Sequence, residues 1–342
     1  MANSCRLSAG RYLAQDAERW YVISAEVDVV IVGGGPSGLA AALTLTRARR
    51  TVLVIDEGKP RNSAATTVNG VPGFAGLRPQ ELLAQLRREA GEYGMQYLPG
   101  RVADVRRPDD ATFVVSTEPA EGSATAEIQA HALVIASGAR DFLPKVPGLG
   151  DAWGTRVLPC AYCDGAEVGS SRVGVLGVSP KWGQSVETAQ LLRQFTDDVY
   201  FLQHEAADLT ALELSALQAR GIRHVDTTVE SVARLESGEL ELVLTGRDAL
   251  RLDYLFVDTV TRPSSPLPAA LGVEQIPTRL GPAPRTAADG STSIRNLWIT
   301  GSAAVPNVNI PTAVDHGYRT GVSVNSSLID QEISALVPGW DA

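Results

Sequence analysis

The stretch Val27–Gly58, VDVVIVGGGPSGLAAALTLTRARRTVLVIDEG, carries three kinds of local chemistry in a row. Val27–Val32 is a short, largely apolar run rich in valine, as a strand buried in a parallel sheet should be. Gly33-Gly34-Gly35-Pro36-Ser37-Gly38 follows at once and satisfies G-x-G-x-x-G spacing. The next residues, mostly alanine and leucine, read as a helix with small side chains for the face against a sheet. TVLVI is then a second strand, with Asp56 at its end. Gly33 permits the tight turn, Gly35 lets the backbone approach a pyrophosphate, and Gly38 lets helix and strand pack closely. Pro36 and Ser37 open the helix, whose N–H groups and positive dipole end suit phosphates. Asp56 is placed to accept hydrogen bonds from ribose hydroxyls. The whole unit points to dinucleotide binding.

The chain has 342 residues, too long for one ordinary core and suited to two domains. Its net charge of −9 argues against nucleic acid, which needs clustered Lys and Arg. No apolar run reaches the roughly 18 residues of a membrane span, and residues 1–26 have no secretory apolar region. Those residues read as a surface extension or as a helix packed on the body. Three cysteines, two of them in C-x-x-C spacing, fit a reducing cytoplasm, and no metal site is expected.

Two later stretches echo the first. Ala132–Arg140, ALVIASGAR, is an apolar strand ending in a small-residue turn, and the residues before it, ATFVVSTEPAEGSATAEIQAH, read as a β-meander. Near the end, Leu297–Thr300 reads as a strand, Gly301-Ser302 as a turn, and a helix starts at about Thr312. A fingerprint at the start with such a pattern far downstream points to FAD. This layout resembles the flavoprotein disulfide reductases with two dinucleotide-binding domains. The resemblance implies an α/β fold of two Rossmann-like three-layer domains, the second inserted in the first. It places the flavin against Val102, Ala136, Gly138, Gly301, Ser302 and the helix start at Thr312 and Ala313. Arg61 and Asn62, in the stretch Pro60–Gly76, are further candidates. Where the family has Gly-Asp for a ribityl hydroxyl, this chain has Gly301-Ser302.

Cys160-Ala161-Tyr162-Cys163-Asp164-Gly165 resembles the active-site hexapeptide of low-molecular-weight thioredoxin reductases. C-x-x-C spacing lets two sulfurs form and break a disulfide with little backbone movement. The resemblance implies that Cys163 exchanges electrons with the flavin and that Cys160 attacks the substrate disulfide. Asp164 would serve as acid/base, with a pKa raised by the flavin and sulfurs around it; read by itself, it is equally a turn or N-cap residue.

The second Rossmann unit keeps its strand Arg172–Gly177, a helix over about Gln184–Phe195 and a strand Asp198–Gln203. Between the first two the relatives carry G-x-G-x-x-A/G, and here the turn is Gly177-Val178-Ser179-Pro180-Lys181-Trp182-Gly183. Ser179 puts a side chain where backbone should touch pyrophosphate, and Trp182 puts bulk where the smallest residue is needed. After the second strand NADPH users present arginines; this chain offers Gln203, His204, Glu205 and Asp208. The combination resembles the ferredoxin-dependent, or deeply rooted, thioredoxin reductases, implying electrons from ferredoxin through FAD to the cysteines and then to a thioredoxin-like protein. The scaffold is also similar to dithiol oxidases, to which DEGKPRN and LRPQELL correspond. Their cysteine motif ends in Cys-His-Gly, and Asp164 departs from it. The remaining readings are an ordinary NADPH thioredoxin reductase and a sensor that merely holds flavin. Trp340, near the terminus, packs on the surface or stacks on the flavin of the partner in a homodimer, which the resemblance implies. The expected boundaries are 1–141 and 259–342 for the FAD domain, with 1–26 as an extension, and 142–258 for the inserted domain.

Overall fold

The computed structural model of the chain describes residues 6–7, 11–16, 19–118, 126–178, 185–206, 208–278 and 281–340. Contacts divide the chain into two compact units. One comprises Met1–Arg61, Gln80–Arg140 and Arg262–Ala342; the other comprises Asn62–Pro79 and Asp141–Thr261. The residues 62–79, expected within the first domain, group with the inserted one. Each unit is built on parallel strands with helices, and together they are the two Rossmann-like domains expected. Among the described residues, no helix is long and apolar enough to cross a membrane.

In the first unit the strands Gln96–Pro99, Val52–Asp56, Glu26–Val32 and Ala126–Ile135 lie side by side and parallel. The strand Leu297–Ile299 pairs parallel with the end of Ala126–Ile135, while Phe113–Glu118 and Arg101–Arg106 continue the sheet antiparallel. The sequence of Ala126–Ile135 explains how one strand serves both kinds of neighbour. Its first half, AEIQAH, alternates buried and exposed, and its second half, ALVI, is buried throughout. The alternating half pairs with the antiparallel Phe113–Glu118. The apolar half lies between Glu26–Val32 and Leu297–Ile299, with core on both faces.

Alternate residues of this sheet feed two cores. Val30, Leu53, Ile55, Leu133 and Ile135 face one. Val29, Ile31, Val52, Val54 and Val134 face the other, together with Leu39 and Leu45 of the helix Pro36–Arg47 and Val324 and Leu328 of the helix Ile310–Leu336. Each fully buried side chain of this size contributes about 2 kcal/mol. The two helices approach closely because glycine lies at their crossing: a Cβ on Gly317 would sit 2.1 Å from the Ser37 carbonyl oxygen.

The described residues between 6 and 24 are not the packed helix that was one of the two expectations for this segment. They form the antiparallel strands Arg6–Leu7, Arg11–Asp16 and Arg19–Ser24. The run Trp20-Tyr21-Val22-Ile23 is aromatic and β-branched, and such residues favour a pleated strand over a helix.

The second unit has a fully parallel sheet in the order Val157–Leu158, Tyr254–Val257, Val173–Leu176, Val199–Leu202, Arg223–Val225. The helices Ser185–Leu192 and Ala211–Ala219 cover one face through Ala189, Leu192 and Leu217, which meet Val173, Val175, Val199 and Phe201. On the other face Leu176, Leu202 and Leu255 meet Val232, Leu242 and Leu252 of a three-stranded antiparallel ribbon. The helix Ser185–Leu192 ends before Phe195, where the sequence reading ended it. The Ser179–Trp182 substitutions of the nucleotide turn lie outside the described residues.

Candidate active site

In the first unit, the predicted glycines have distinct and measurable constraints. Gly33 takes φ +110°, and a Cβ there would lie 2.3 Å from the Ala136 carbonyl oxygen. A Cβ on Gly38 would lie 2.0 Å from the Gly33 carbonyl oxygen and 3.1 Å from the Ala136 Cβ. These contacts bring Gly33, Gly38 and Ala136 together and force the turn to be tight. Gly35 is different: its φ is −76°, and a Cβ there would meet no protein atom within 4 Å. Gly35 is also the N-cap of the helix, with no side-chain cap, and Pro36 stands in the first turn. The helix start is therefore left with backbone donors beside open space, which suits an anion.

Asp56 ends its strand with the carboxylate held in place. Its Oδ2 accepts hydrogen bonds from the Tyr97 hydroxyl at 2.9 Å and the Gly58 N–H at 3.2 Å. Neither of these bonds uses Oδ1. Tyr97 was not among the sequence candidates.

Ser37 meets the late turn. A Cβ on Gly301, whose φ is +63°, would lie 2.3 Å from the Ser37 hydroxyl. Thr300, one residue earlier, donates its N–H to the Ile135 carbonyl at 2.9 Å, joining this turn to the one containing Ala136 and Gly138. The hydroxyls of Ser137 and Thr300 are buried and have no hydrogen-bond partner among the described residues. Buried polar groups are seldom left so; two orphaned hydroxyls flanking the predicted contacts fit a polar ligand such as FAD. Ser302 is half-buried in the short 3-10 turn Gly301–Ala303, and Gly138 takes φ +71°. Val102 is buried in the core against the same sheet.

The last helix begins at Ile310, earlier than expected, with Asn309 as cap. The Thr312 N–H donates to the Asn309 Oδ1 at 3.0 Å, and the Ala313 N–H donates to the Asn309 carbonyl at 2.9 Å. This helix start offers its dipole, while the Thr312 and Ala313 amides are already engaged. His316, missed in the sequence, is buried; its Nδ1 accepts the Gly301 N–H at 3.1 Å. Burial holds its pKa below the ordinary histidine value, and accepting at Nδ1 leaves Nε2 as the ring's N–H. Arg61 donates to the Asn307 Oδ1 at 3.1 Å, whereas Asn62 groups with the second unit. Trp340 is half-exposed, its N–H donating to the Val337 carbonyl at 3.2 Å.

In the second unit, Cys160 and Cys163 are joined by a disulfide, with Cα atoms 5.3 Å apart. Cys160 is the N-cap of the helix Ala161–Val168, and its Sγ accepts the Cys163 N–H at 3.1 Å. A thiolate at Cys160 would be stabilised by that donor and by the helix dipole. Gly165 lets this helix rest on Phe195, since a Cβ there would lie 2.5 Å from the ring. Asp164, in the first turn, has its carboxyl pushed up to about 6. Burial is the main cause and the charge of Glu167 adds to it, while a hydrogen bond with Asn69 opposes them. Asn69 belongs to the segment 62–79. Tyr162, between the cysteines, is 85% exposed.

The family model for pyridine nucleotide-disulphide oxidoreductases matches residues 27–321. Thioredoxin reductase tcpT of Claviceps purpurea (strain 20.1) is 25% identical over 310 residues, covering 89% of this chain and 94% of that protein. Thioredoxin reductase sirT of Leptosphaeria maculans is 26% identical over 322 residues, covering 90% and 96%. The solved structure of HlmI superposes with a TM-score of 0.80 at 32% identity, covering 91% of this chain and 95% of that one. The family match runs from the first glycine fingerprint through the cysteine helix to the last helix, and on that ground the chain belongs to the pyridine nucleotide-disulphide oxidoreductases, as a thioredoxin reductase-like enzyme that binds FAD.

Proposed function

We propose that the protein is a dithiol/disulfide oxidoreductase that reduces a thioredoxin-like protein and draws its electrons from a ferredoxin-type donor instead of NADPH. The observation that carries the reading is the Cys160–Cys163 disulfide at the start of a helix whose first turn holds a carboxyl of pKa about 6. FAD would be held by the Gly33–Gly38 turn, Asp56 and the 300–302 turn, and when bound and reduced it would supply the electron pair that opens this disulfide. The Cys160 thiolate then attacks the partner's disulfide, forming a mixed disulfide and expelling one partner thiolate. Asp164 gives that thiolate its proton. The Cys163 thiol passes its proton to the Asp164 carboxylate and attacks the Cys160 sulfur, which releases the second partner thiolate and restores the Cys160–Cys163 bond. Each turnover consumes two electrons from the ferredoxin-type donor, delivered one at a time, and two protons from solvent, and it leaves one dithiol on the partner.

The donor assignment is supported by the end of the strand Val199–Leu202. Gln203 is engaged with His224 at 2.7 Å and with Asp208 at 3.5 Å, and the His204 Nδ1 accepts the Val229 N–H at 3.2 Å. Glu205 and Asp208 bring negative charge where a 2′-phosphate needs arginine. The same reading has the protein act as a cytoplasmic homodimer, with Trp340 stacking on the flavin of the partner subunit.

Trapping tests the dithiol step. Reduced Cys163→Ser protein mixed with oxidised thioredoxin is expected to accumulate a mixed disulfide on Cys160, visible by non-reducing mass spectrometry. Cys160→Ser should give none. The reverse pattern would exchange the two roles, and rapid oxygen consumption with a small dithiol would assign the oxidase direction.

A further inference from the structure

The parallel sheet of the second unit has a topological switch point. From Val173–Leu176 the chain runs through the helix Ser185–Leu192 to Val199–Leu202 on one side, while Tyr254–Val257 pairs on the other. Leu176 is opposite Val257 in register, so Gly177 and Asp258 are the next residues out and flank the mouth of the crevice. In open α/β sheets this crevice, at the carboxyl ends of the strands, is where ligands bind.

Asp258 is mostly buried there, and its Oδ2 accepts the Ser185 hydroxyl at 2.9 Å. Ser185 is the first described residue of the helix Ser185–Leu192, and it is itself buried. Glu187, in the same first turn, adds a second carboxylate. The side of the mouth toward Val199–Leu202 is also filled. The Glu205 N–H donates to the Gly177 carbonyl at 3.2 Å, and a Cβ on Gly177 would lie 2.5 Å from the Gln203 carbonyl oxygen and 2.9 Å from the Ala206 Cβ.

We propose that Asp258 is a specificity-determining residue: its carboxylate, fixed on Ser185 at the switch point, takes the place a nucleotide phosphate would need and repels it. This deepens the proposed function and rests on its claim that NADPH is not the donor. A phosphate entering the crevice would have to approach a held carboxylate with Glu187 beside it, and like charges at close quarters cost affinity steeply. Charge at Asp258 has a second effect, since it removes the Ser185 hydroxyl as a phosphate donor. Burial and the charge of Glu187 raise the pKa of Asp258, a sign that the carboxylate is held against its electrostatic preference.

Equilibrium dialysis of NADP+ against the oxidised FAD-loaded protein tests the proposal, with FAD content and circular dichroism confirming the fold of each variant. Asp258→Asn keeps the shape and the Ser185 contact while removing the charge, and it is expected to bind NADP+ about tenfold or more tightly than the wild type. Glu187→Gln, on an exposed position, should give a smaller gain and provides the readout if Asp258→Asn does not fold. Weak binding by the wild type with no gain in either variant would overturn the role of Asp258 and leave the donor assignment standing. Tight binding by the wild type would overturn both.

Discussion

A Gly35→Val protein is expected to purify colourless and yet remain folded. The two halves of that result come from different atoms. The backbone of Gly35 has φ −76°, which any residue adopts, and an added Cβ meets no protein atom within 4 Å. The apo fold should therefore lose little: its thermal midpoint is expected within a few degrees of that of the wild-type apoprotein. The same space lies at the start of the helix Pro36–Arg47, where the pyrophosphate of FAD needs the backbone within reach. Valine there fills it and should weaken FAD by at least about 3 kcal/mol, or more than a hundredfold. Gly38→Val is the contrasting case. Its side chain would start 2.0 Å from the Gly33 carbonyl oxygen, so it should lower both FAD affinity and apo stability, by about 3 kcal/mol for the latter. Flavin absorbance after FAD titration and thermal unfolding of the apoproteins separate the two. If Gly35→Val bound FAD as the wild type does, the pyrophosphate assignment would be wrong.

The second large effect belongs to Asp164. Asp164→Asn is expected to slow thiol–disulfide exchange with oxidised thioredoxin by about 10²-fold, the scale on which a positioned proton donor acts. The pH profile is the more specific readout. A carboxyl with a pKa of about 6 gives up its proton only while it holds one. Protonation of the leaving thiolate in the wild type should therefore be fastest below that value and decline as pH rises through it. Asparagine removes this limb. Stability follows the same sign: the raised pKa contributes stability that is fully present below 3.8 and is lost as pH rises through about 6. Stopped-flow exchange from the prereduced protein, measured between pH 5 and 8, shows whether the limb disappears. A limb that persists in Asp164→Asn would assign it to another group.

Local steric rules made parts of this site legible in the sequence. Gly33 and Gly38 stand where a side chain would collide with neighbours set by the same short segment, so their spacing alone announces the turn. Cys160 and Cys163 are likewise a local signal, four residues on one helix start. Tyr97 was not legible, because its bond to Asp56 joins residues 41 apart and exists only once Gln96–Pro99 pairs beside Val52–Asp56. His316 was hidden in the same way: its partner Gly301 precedes the helix by a loop whose path the sequence does not specify. The raised pKa of Asp164 was expected from flavin and sulfur, whereas burial and Glu167 supply it within the second unit. Asp258 gives no motif at all, since a lone carboxylate after a strand acquires meaning only from the register that sets it beside Gly177.

Anaerobic mixing of the FAD-loaded protein with each candidate donor, followed by flavin absorbance, bears most directly on the claim that electrons enter without NADPH. Reduced ferredoxin is expected to bleach the flavin and open the Cys160–Cys163 disulfide, releasing two thiols per chain, while a large excess of NADPH leaves the spectrum unchanged over minutes. Bleaching by NADPH within seconds, with the same two thiols released, would contradict the account.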